Sequence, residues 1–486
     1  MFASYVFEKS SAEYTDKLFL IDTDNLNGAV CYSDYFAAHG FQIIRYEDDL
    51  QFRVEHDEAI YGTGKYAVIA AAGTYIPYDI RQTFRIFDVS LASLFPKLNI
   101  TAVKEAKRIN YDLLCMAYKK NFKELRQKTL TQQFIENKVF GRENVEEYLQ
   151  HSVFAMNTAV AGAQNYQAWF RIANMKSAID ALATEYELYT RTEHVNEKFV
   201  EWVLASFGKL STAMNKQTPV LVSRAMEYMR DRSDKFAIVV MDGMSEFDWR
   251  ILSEGFGDIV YTKSDMFAMI PTTTSVSRQC LLSNKYPSQL QEPWSQSKEK
   301  AEFIACASDM GYTAEQIGYE RGYDADFGSF VRCAAVIINE IDDTVHGQGQ
   351  GRIGMFNDVT VMAKQGKLVK LVKRLIKKGF DVYITADHGN TPCTGTGKLM
   401  KTGVEVETKS RRMIVLRDFA DKQSLIEKHS MIDYPKYYLN KDYDYLICGV
   451  GQSFDSKGDE VMSHGGISVD EVIVPFISIK AVENNG

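Results

Sequence analysis

The chain has 486 residues, of which 45% are hydrophobic and 25% are charged, and its formal net charge is −8. This length predicts two or three domains, and no apolar run approaches the ~20 residues that a membrane helix needs. The acidic balance gives no global attraction to nucleic acid. We therefore predict a globular enzyme-sized protein that does not enter a membrane.

The seven cysteines are scattered along the chain and include no Cys-x-x-Cys pair. An odd number of cysteines argues against a disulfide framework, and the lack of a Cys-x-x-Cys motif argues against a zinc ribbon. The first residues mix charges early and lack the apolar core of a signal peptide. Both features predict a cytoplasmic location.

The first half of the sequence changes character near residue 95. Apolar runs beginning at Leu18, Phe41 and Tyr66 are separated by segments long enough for crossover helices, which predicts a small α/β domain over residues 1–95. Turn residues then become scarce and apolar residues recur at helical spacing. Residues 96–232 are therefore predicted to form a mostly helical linking domain.

Residues 233–486 are predicted to form a third domain, in which three apolar runs precede acidic residues. The runs Lys235–Met241, Cys333–Ile338 and Phe380–Thr385 are typical of strands that are buried on both faces of a parallel sheet. Ligands gather outside the carboxyl ends of such strands. An insertion is predicted at residues 393–445, and Pro475 in the last apolar run predicts an edge strand.

The acids and histidines that follow these strands have the character of metal ligands. They are Asp242, the pair Asp342 and His346, the pair Asp387 and His388, and His464 before two glycines. Carboxylates and imidazoles in this ratio suit two divalent cations, because each cation needs anionic oxygen and neutral nitrogen. Zn²⁺ is expected first, with Mn²⁺ or Mg²⁺ as alternatives, and two such ions imply phosphoryl chemistry. Each stretch alone would more often be a helix cap or a glycine turn. Their joint occurrence favours the metal interpretation.

Five stretches in fixed order carry a family resemblance: Val239–Ser245, Pro271–Arg278, Ile341–His346, Thr385–Asn390, and Ser463–Gly466 followed by Glu471. Together they resemble the alkaline phosphatase superfamily and, within it, the PglZ-domain proteins of BREX phage-defence systems. The start of the chain, with Asp22 and Asp24, is similar to the leading region of PglZ proteins. The resemblance implies an α/β fold with an alkaline phosphatase-like doubly wound sheet in the C-terminal half, beside the small N-terminal α/β unit and the helical middle region.

The resemblance also implies a ligand set. One metal would take Asp342, His346 and His464, and the other would take Asp242, Asp387, His388 and the nucleophile. The spacing from His346 favours Asp342 over its neighbour Asp343 as the ligand.

Three consecutive threonines follow Pro271 in the stretch that would carry the nucleophile. Related enzymes place the nucleophile three residues after a proline, which implies Thr274, whose hydroxyl would be activated by metal coordination. Arg278 lies in the same turn and is expected to contact phosphate, because a guanidinium matches phosphate oxygens. Arg411 is a second candidate for that contact.

The function that this reading predicts is a metal-dependent phosphodiesterase or nuclease in phage defence. Its substrate would be a phosphodiester in nucleic acid or in a nucleotide, and its partners would be proteins of the defence system. A phosphomonoesterase or phosphomutase would use the same metals on a smaller ester. A non-catalytic scaffold of a defence complex is a third alternative, against which the intact ligand set argues.

Overall fold

The structure is a computed structural model that describes residues 1–397, 405–406, 410–417 and 421–481. The chain divides into two compact units, Met1–His151 and Ser152–Gly486. None of the helices within the described ranges combines the length and the apolar character that a membrane crossing requires. Part of the predicted insertion at 393–445 lies outside the described residues, namely 398–404, 407–409 and 418–420.

The first unit is built around a parallel sheet. Its strands are β1 (Lys17–Asp22), β2 (Gln42–Tyr46), β3 (Tyr66–Ala71) and β4 (Arg85–Asp88), in the order β2-β3-β1-β4. The α-helices are α1 (Phe2–Lys9), α2 (Leu26–Val30), α3 (Tyr32–Ala38), α4 (Asp49–Glu55), α5 (Asp57–Tyr61), α6 (Tyr78–Thr83), α7 (Leu91–Leu94), α8 (Ile100–Lys104), α9 (Tyr111–Lys119), α10 (Lys128–Phe134) and α11 (Arg142–Ala161), which extends into the second unit. The predicted N-terminal α/β unit is confirmed.

The second unit begins with helices and continues with alternating strands and helices. Its α-helices are α12 (Tyr166–Glu185), α13 (His194–Ser206), α14 (Ala225–Arg230), α15 (Glu246–Leu252), α16 (Thr274–Ser283), α17 (Glu299–Asp309), α18 (Glu340–Gly347), α19 (Gly351–Gln365), α20 (Lys367–Lys377), α21 (Lys422–His429) and α22 (Val469–Val472). Helices α8–α14 fill the middle of the chain, as predicted.

The strands of the second unit are β5 (Phe236–Met241), β6 (Thr262–Phe267), β7 (Ile317–Arg321), β8 (Cys333–Ile338), β9 (Asp381–Thr385), β10 (Thr391–Gly395), β11 (Glu405–Val406), β12 (Met413–Leu416), β13 (Ile432–Asp433), β14 (Asp444–Ile447), β15 (Gln452–Ser453), β16 (Glu460–Ser463) and β17 (Ile473–Ile479). The central sheet has the order β6-β17-β9-β5-β8-β7. Strands β9, β5, β8 and β7 are parallel, and β17 is antiparallel to both of its neighbours. Every residue of β5 and β8 is buried, as continuous apolar runs require.

The edge position predicted for the last strand is wrong, because β17 lies between β6 and β9. Pro475 is tolerated there for a local reason. Its carbonyl accepts a hydrogen bond from the Thr385 hydroxyl of β9, so its missing N–H also faces β9. The pairing with β9 begins only at the next residue, Phe476. The proline therefore interrupts no hydrogen bond of that ladder.

Candidate active site

The ends of three neighbouring parallel strands carry the acids of the site. Asp242 follows β5 directly, Asp342 lies in α18 after β8, and Asp387 follows β9 by two residues. The carboxyl ends of adjacent parallel strands meet at one edge of the sheet, so these side chains converge. His464 comes from a second sheet, directly after β16, and Thr274 is the first residue of α16.

Two sets of side chains have candidate ligand atoms within 4.8 Å of one another: Asp242, Asp387 and His388, and Asp342, His388 and His464. His388 Nε2 lies 3.8 Å from an oxygen of each carboxylate in the first set. His464 Nε2 lies 3.4 Å from Asp342 Oδ1. The two imidazole rings stack with their centroids 4.2 Å apart. Because the sets share His388, they form one continuous ligand cluster.

His346 lies at the edge of this cluster and belongs to neither set. Its Nε2 is 3.3 Å from Asp342 Oδ2, and its side chain is 41% exposed, against 13% for that of Asp342. Its ring centroid is 5.3 Å from that of His464. Asp343, the alternative to Asp342, is exposed. The structure therefore directs Asp342 towards the histidines.

Backbone carbonyls fix the orientation of the two central imidazoles. Nδ1 of His388 lies 3.0 Å from the carbonyl oxygen of Gly389, and Nδ1 of His464 lies 3.0 Å from that of Thr272. A carbonyl oxygen only accepts, so each Nδ1 carries the proton and each Nε2 keeps its lone pair. The Nε2 atoms are the ones that face the carboxylates. Metal-ligating histidines are oriented in this way.

The carboxylates of the cluster differ in how easily they ionise. Burial raises the pKa of Asp242 to about 8, to which the Asp387 carboxylate contributes while Arg278 opposes it. Burial also raises the pKa of Asp387, to about 6. At Asp342 the effect of burial is outweighed by the surrounding histidines, chiefly His346, so its pKa lies well below the usual range. The site is short of positive charge next to Asp242 and Asp387.

The three threonines at residues 272–274 have different surroundings. The Thr274 hydroxyl lies 3.1 Å from His388 Nε2 and 3.5 Å from Asp242 Oδ1. Thr272 is buried, and its hydroxyl donates to a backbone carbonyl. Thr273 is also buried, and its hydroxyl has no hydrogen-bond partner among the described residues. Of the three, Thr274 presents its hydroxyl to the ligand cluster.

The phosphate contact predicted for Arg278 needs correction, because the side chain is fully buried behind the cluster. Its Nη1 bonds to Asp242, and its Nε donates to Glu299 Oε2 at 2.5 Å. Asp387 Oδ2 lies 3.9 Å from the same Nη1. The guanidinium is thus surrounded by carboxylates, and it orients Asp242 from the side away from solvent.

Glu299 is a residue of the site that the sequence did not reveal. It is 2% exposed at the start of α17, and its carboxylate accepts from Arg278, the Tyr319 hydroxyl and Arg321. Glu299 opens a charged stretch that is typical of a solvated helix start, without the spacing of metal ligands. Only the folded structure shows that this acid supports the arginine behind Asp242.

A hydrogen-bond network ties the loop after His464 to the threonine turn at residues 272–274. Thr272 Oγ1 accepts from the Gly465 N–H at 3.1 Å and donates to the Gly466 carbonyl at 2.8 Å. The fully buried Glu471 accepts from the Gly466 N–H at 2.7 Å. Movement of this loop would therefore move both His464 and the turn that carries Thr274.

Both glycines of that loop are packed closely by residues 410–412. Gly465 has φ +106°, and a Cβ there would lie 2.2 Å from the Ser410 hydroxyl oxygen. A Cβ on Gly466 would lie 2.8 Å from Cζ of Arg412, whose buried guanidinium pairs with Glu471. The two glycines are thus explained by close approach and, at Gly465, by backbone conformation.

Comparison with known proteins assigns the chain to a family. The model of the BREX system PglZ alkaline phosphatase-like domain matches residues 221–479. The chain belongs to this PglZ family. The matched range contains the ligand cluster, Thr274 and Glu299, and the predicted family is confirmed. Membership places this part of the chain among the alkaline phosphatase-like proteins, whose superfamily comprises phosphoester hydrolases that use divalent metals.

Solved structures resemble the chain at low sequence identity. Murine ectonucleotide pyrophosphatase/phosphodiesterase 5 is 12% identical with a TM-score of 0.36, and the match covers 50% of this chain and 88% of that one. Phosphonoacetate hydrolase from Sinorhizobium meliloti is 11% identical with a TM-score of 0.34, covering 52% of this chain and 92% of that one. No functionally curated protein matches the sequence.

Proposed function

We propose that this PglZ-family chain is a metal-dependent phosphodiesterase or nuclease that acts in phage defence with Thr274 as its nucleophile. One observation carries the proposal: the Thr274 hydroxyl lies 3.1 Å from His388 Nε2, inside a cluster of buried carboxylates and imidazoles. Thr274 is also the first residue of α16. A helix N-terminus favours the negative charge that a phosphoryl group brings.

The residues of the cluster fit two divalent cations. Asp342 Oδ1 and Asp387 Oδ2 are buried, and within the described ranges neither has a hydrogen-bond partner. Buried anionic oxygens are normally satisfied, so these two atoms are suited to a cation. Mixed oxygen and nitrogen donors suit Zn²⁺ or Mn²⁺ better than Mg²⁺. One ion would be held by Asp242, Asp387, His388 and Thr274, and the other by Asp342, His346 and His464.

In the proposed mechanism, the side chains and the backbone N–H groups have different roles. Bound cations would supply the positive charge that lowers the pKa of the attacking hydroxyl and stabilises the phosphoryl oxygens. The chain itself holds the Thr274 hydroxyl against His388 Nε2. The Val276 N–H in the first turn of α16 donates to the Thr273 carbonyl at 3.1 Å. The N–H groups of Thr274 and Ser275 lie at the helix start, where the helix supplies no acceptor, and they can donate to a phosphoryl oxygen. Arg278 keeps Asp242 in place from behind.

The charge at the mouth of the site favours a diester over a monoester. Arg278 faces buried carboxylates. Arg411 follows Ser410, whose hydroxyl packs against Gly465 in the loop after His464. The Arg411 guanidinium, however, lies 3.3 Å from the Asp455 carboxylate. A dianionic monoester needs more uncompensated positive charge than a monoanionic diester. We therefore expect a diester substrate, in a nucleotide or in nucleic acid that binds weakly and is released by salt.

Turnover of matched model substrates tests the proposal. The purified protein with added Zn²⁺ or Mn²⁺ should hydrolyse bis(p-nitrophenyl) phosphate faster than p-nitrophenyl phosphate. Activity should disappear in chelator and return when metal is restored. Faster monoester turnover would support the phosphomonoesterase alternative. Metal-loaded protein that is inert towards both substrates would contradict the proposal and favour a scaffold.

A further inference from the structure

Among the large apolar side chains that are strongly exposed on the first unit, four come from α4 and from residues 75–78, and the proposed chemistry does not involve them. Leu50 and Val54 are each 74% exposed, Tyr75 is 77% exposed and Tyr78 is 76% exposed. We call these four side chains the outer patch. Leu50 and Val54 are one turn apart on α4, so they adjoin on its outer face. Phe52, on the other face of α4, is buried in the core.

Two contacts hold the tyrosine segment beside α4. The Tyr46 hydroxyl donates to the Tyr75 carbonyl at 3.2 Å. Arg53 of α4 forms a bidentate ion pair with Asp79, in which Nη1 and Nη2 donate to the two carboxylate oxygens at 2.7 Å and 2.8 Å. Asp79 directly follows Tyr78, so Tyr78 is tied to the helix that carries the aliphatic pair. Tyr75 is tied to Tyr46 of β2, whose ring packs against Phe52 of α4 with the centroids 5.2 Å apart. The outer patch is therefore one surface rather than four isolated side chains.

The surroundings of the outer patch are strongly acidic. The exposed carboxylates in residues 47–58 are those of Glu47, Asp48, Glu55, Asp57 and Glu58. Arg53 is the one Lys or Arg in that stretch. Its guanidinium is already engaged, by Asp49 at 2.7 Å and by Asp79. On the tyrosine side, Arg81 is exposed one turn after Tyr78, and its Nε donates to the Ile76 carbonyl at 2.9 Å. An apolar surface with an excess of carboxylates beside α4 is thus presented to solvent.

We propose that the outer patch is a docking surface for a basic amphipathic helix of a protein partner. Exposed tyrosines and aliphatic residues are the anchors on which such interfaces depend. The apolar face of a helix would cover them, while its lysines or arginines would meet the carboxylates around them. Anionic lipid and nucleic acid would be repelled by the same carboxylates. A second copy of the chain would bring the same negative charge to the contact.

Binding of a designed peptide to the full chain tests the proposal. The probe is a fluorescent 18-residue helical peptide with leucines on one face and lysines on the other, measured by fluorescence anisotropy. The double variants L50S/V54S and Y75S/Y78S should each weaken binding roughly tenfold or more. Phe122→Ser removes a side chain of the same unit that is 87% exposed, and it should leave binding unchanged. Circular dichroism should show the same melting curve for all variants.

Several outcomes would overturn the proposal. Equal binding by L50S/V54S and Phe122→Ser would show that the outer patch is not the contact. Stronger binding of a peptide with glutamates in place of lysines would contradict the charge argument. Patch-dependent binding to phosphatidylserine vesicles would assign the surface to a membrane. Patch-dependent self-association in sedimentation would assign it to a second copy of the chain.

Discussion

Thr273 and Thr274 are neighbours in the chain, but their hydroxyls have opposite surroundings. The Thr274 hydroxyl contacts His388, whereas the buried Thr273 hydroxyl has no partner in the described part of the chain. A Thr→Val change removes the hydroxyl and keeps the shape of the side chain. We expect Thr274→Val to lower diester turnover by roughly 1,000-fold or more. Thr273→Val should leave turnover and stability nearly unchanged.

Initial rates with bis(p-nitrophenyl) phosphate, together with thermal unfolding of each variant, check this pair. Both variants should melt close to the wild type. A dead Thr273→Val enzyme beside an active Thr274→Val enzyme would move the nucleophile by one residue.

Glu299 is expected to act on the proposed metal site through Arg278. Its carboxylate accepts from Arg278 Nε at 2.5 Å, and the same guanidinium bonds to Asp242. Removing the negative charge with Glu299→Gln should release the guanidinium and disturb the orientation of Asp242. We expect the affinity for Mn²⁺ to fall by roughly 10–100-fold, as for other residues that orient metal ligands.

The control is Arg321→Gln, because Arg321 also contacts Glu299 but is 48% exposed. Arg321 pairs with Glu299 Oε1, whereas Arg278 Nε donates to Oε2, so this variant leaves the contact with Arg278 in place and should bind Mn²⁺ almost as the wild type does. Titration calorimetry measures both affinities. Equal losses in the two variants would show that Glu299 does not position Arg278.

At the scale of elements, the helical middle of the chain is joined to the loop behind the site by a buried ion network. Lys176 and Asp180 of α12 are 1% and 2% exposed and lie 2.7 Å apart. The Lys176 ammonium also contacts Asp470 at 2.8 Å, next to Glu471. Arg352 of α19 lies 3.2 Å from Asp180. Helices α12, α19 and α22 thus share one set of charges.

This network predicts a pH-dependent stability. Burial acts to raise the pKa of Asp180, but Arg352 and Lys176 outweigh burial and hold its pKa below the usual value. Its unfolded pKa is about 3.9. Because the pKa in the folded state is the lower of the two, the stabilisation is fully present above the unfolded pKa. It is lost as the pH falls through the folded pKa. Asp180→Asn should therefore cost on the order of 3 kcal/mol at pH 7 and clearly less at pH 3.

Urea unfolding at both pH values measures the difference between the variant and the wild type. Glu201→Gln is the control, because Glu201 forms an exposed pair with Lys198 and should change stability little at either pH. A difference for Asp180→Asn that stays constant or grows on acidification would contradict the sign of the pKa shift.

The strands and their terminal acids could be predicted from the sequence because a strand buried on both faces must be apolar throughout. The run that ends before Asp242 is of this kind, and in the run before Asp387 the central residues Val382–Ile384 are. The candidate ligands were inferred from the order of the motifs. The match of the family model to residues 221–479 confirms the family that this order indicated. The roles of the individual residues stay predictions.

Other features depend on contacts that no local pattern encodes. The edge position suggested by Pro475 was wrong. The register with β9 decides which neighbouring strand the carbonyl and the nitrogen of Pro475 face, and no local pattern encodes that register. Glu299 and Lys176 carry no motif, and each meets its partners only after distant segments pack together. Arg278 was expected to contact phosphate, but its guanidinium contacts the buried carboxylates of Asp242 and Glu299. The burial of this side chain could not be inferred from the sequence of its turn.

For the whole molecule, the electrostatics of the second unit connect metal binding to folding. The site collects three carboxylates, and burial raises the pKa of Asp242 to about 8 and that of Asp387 to about 6. Cations bound there would interact with the folded chain and not with separated ligands in the unfolded chain. Metal should therefore stabilise the protein against unfolding, by an amount set by its concentration and affinity.

Anomalous diffraction at the zinc edge, from crystals of the full chain grown with Zn²⁺, tests the central claim most directly. We predict two anomalous peaks per chain. One should lie within bonding distance of Asp242, Asp387, His388 and the Thr274 hydroxyl, and the other within bonding distance of Asp342, His346 and His464. Diffraction without a peak in this cluster at millimolar Zn²⁺, or with zinc bound only elsewhere on the chain, would contradict the two-metal site.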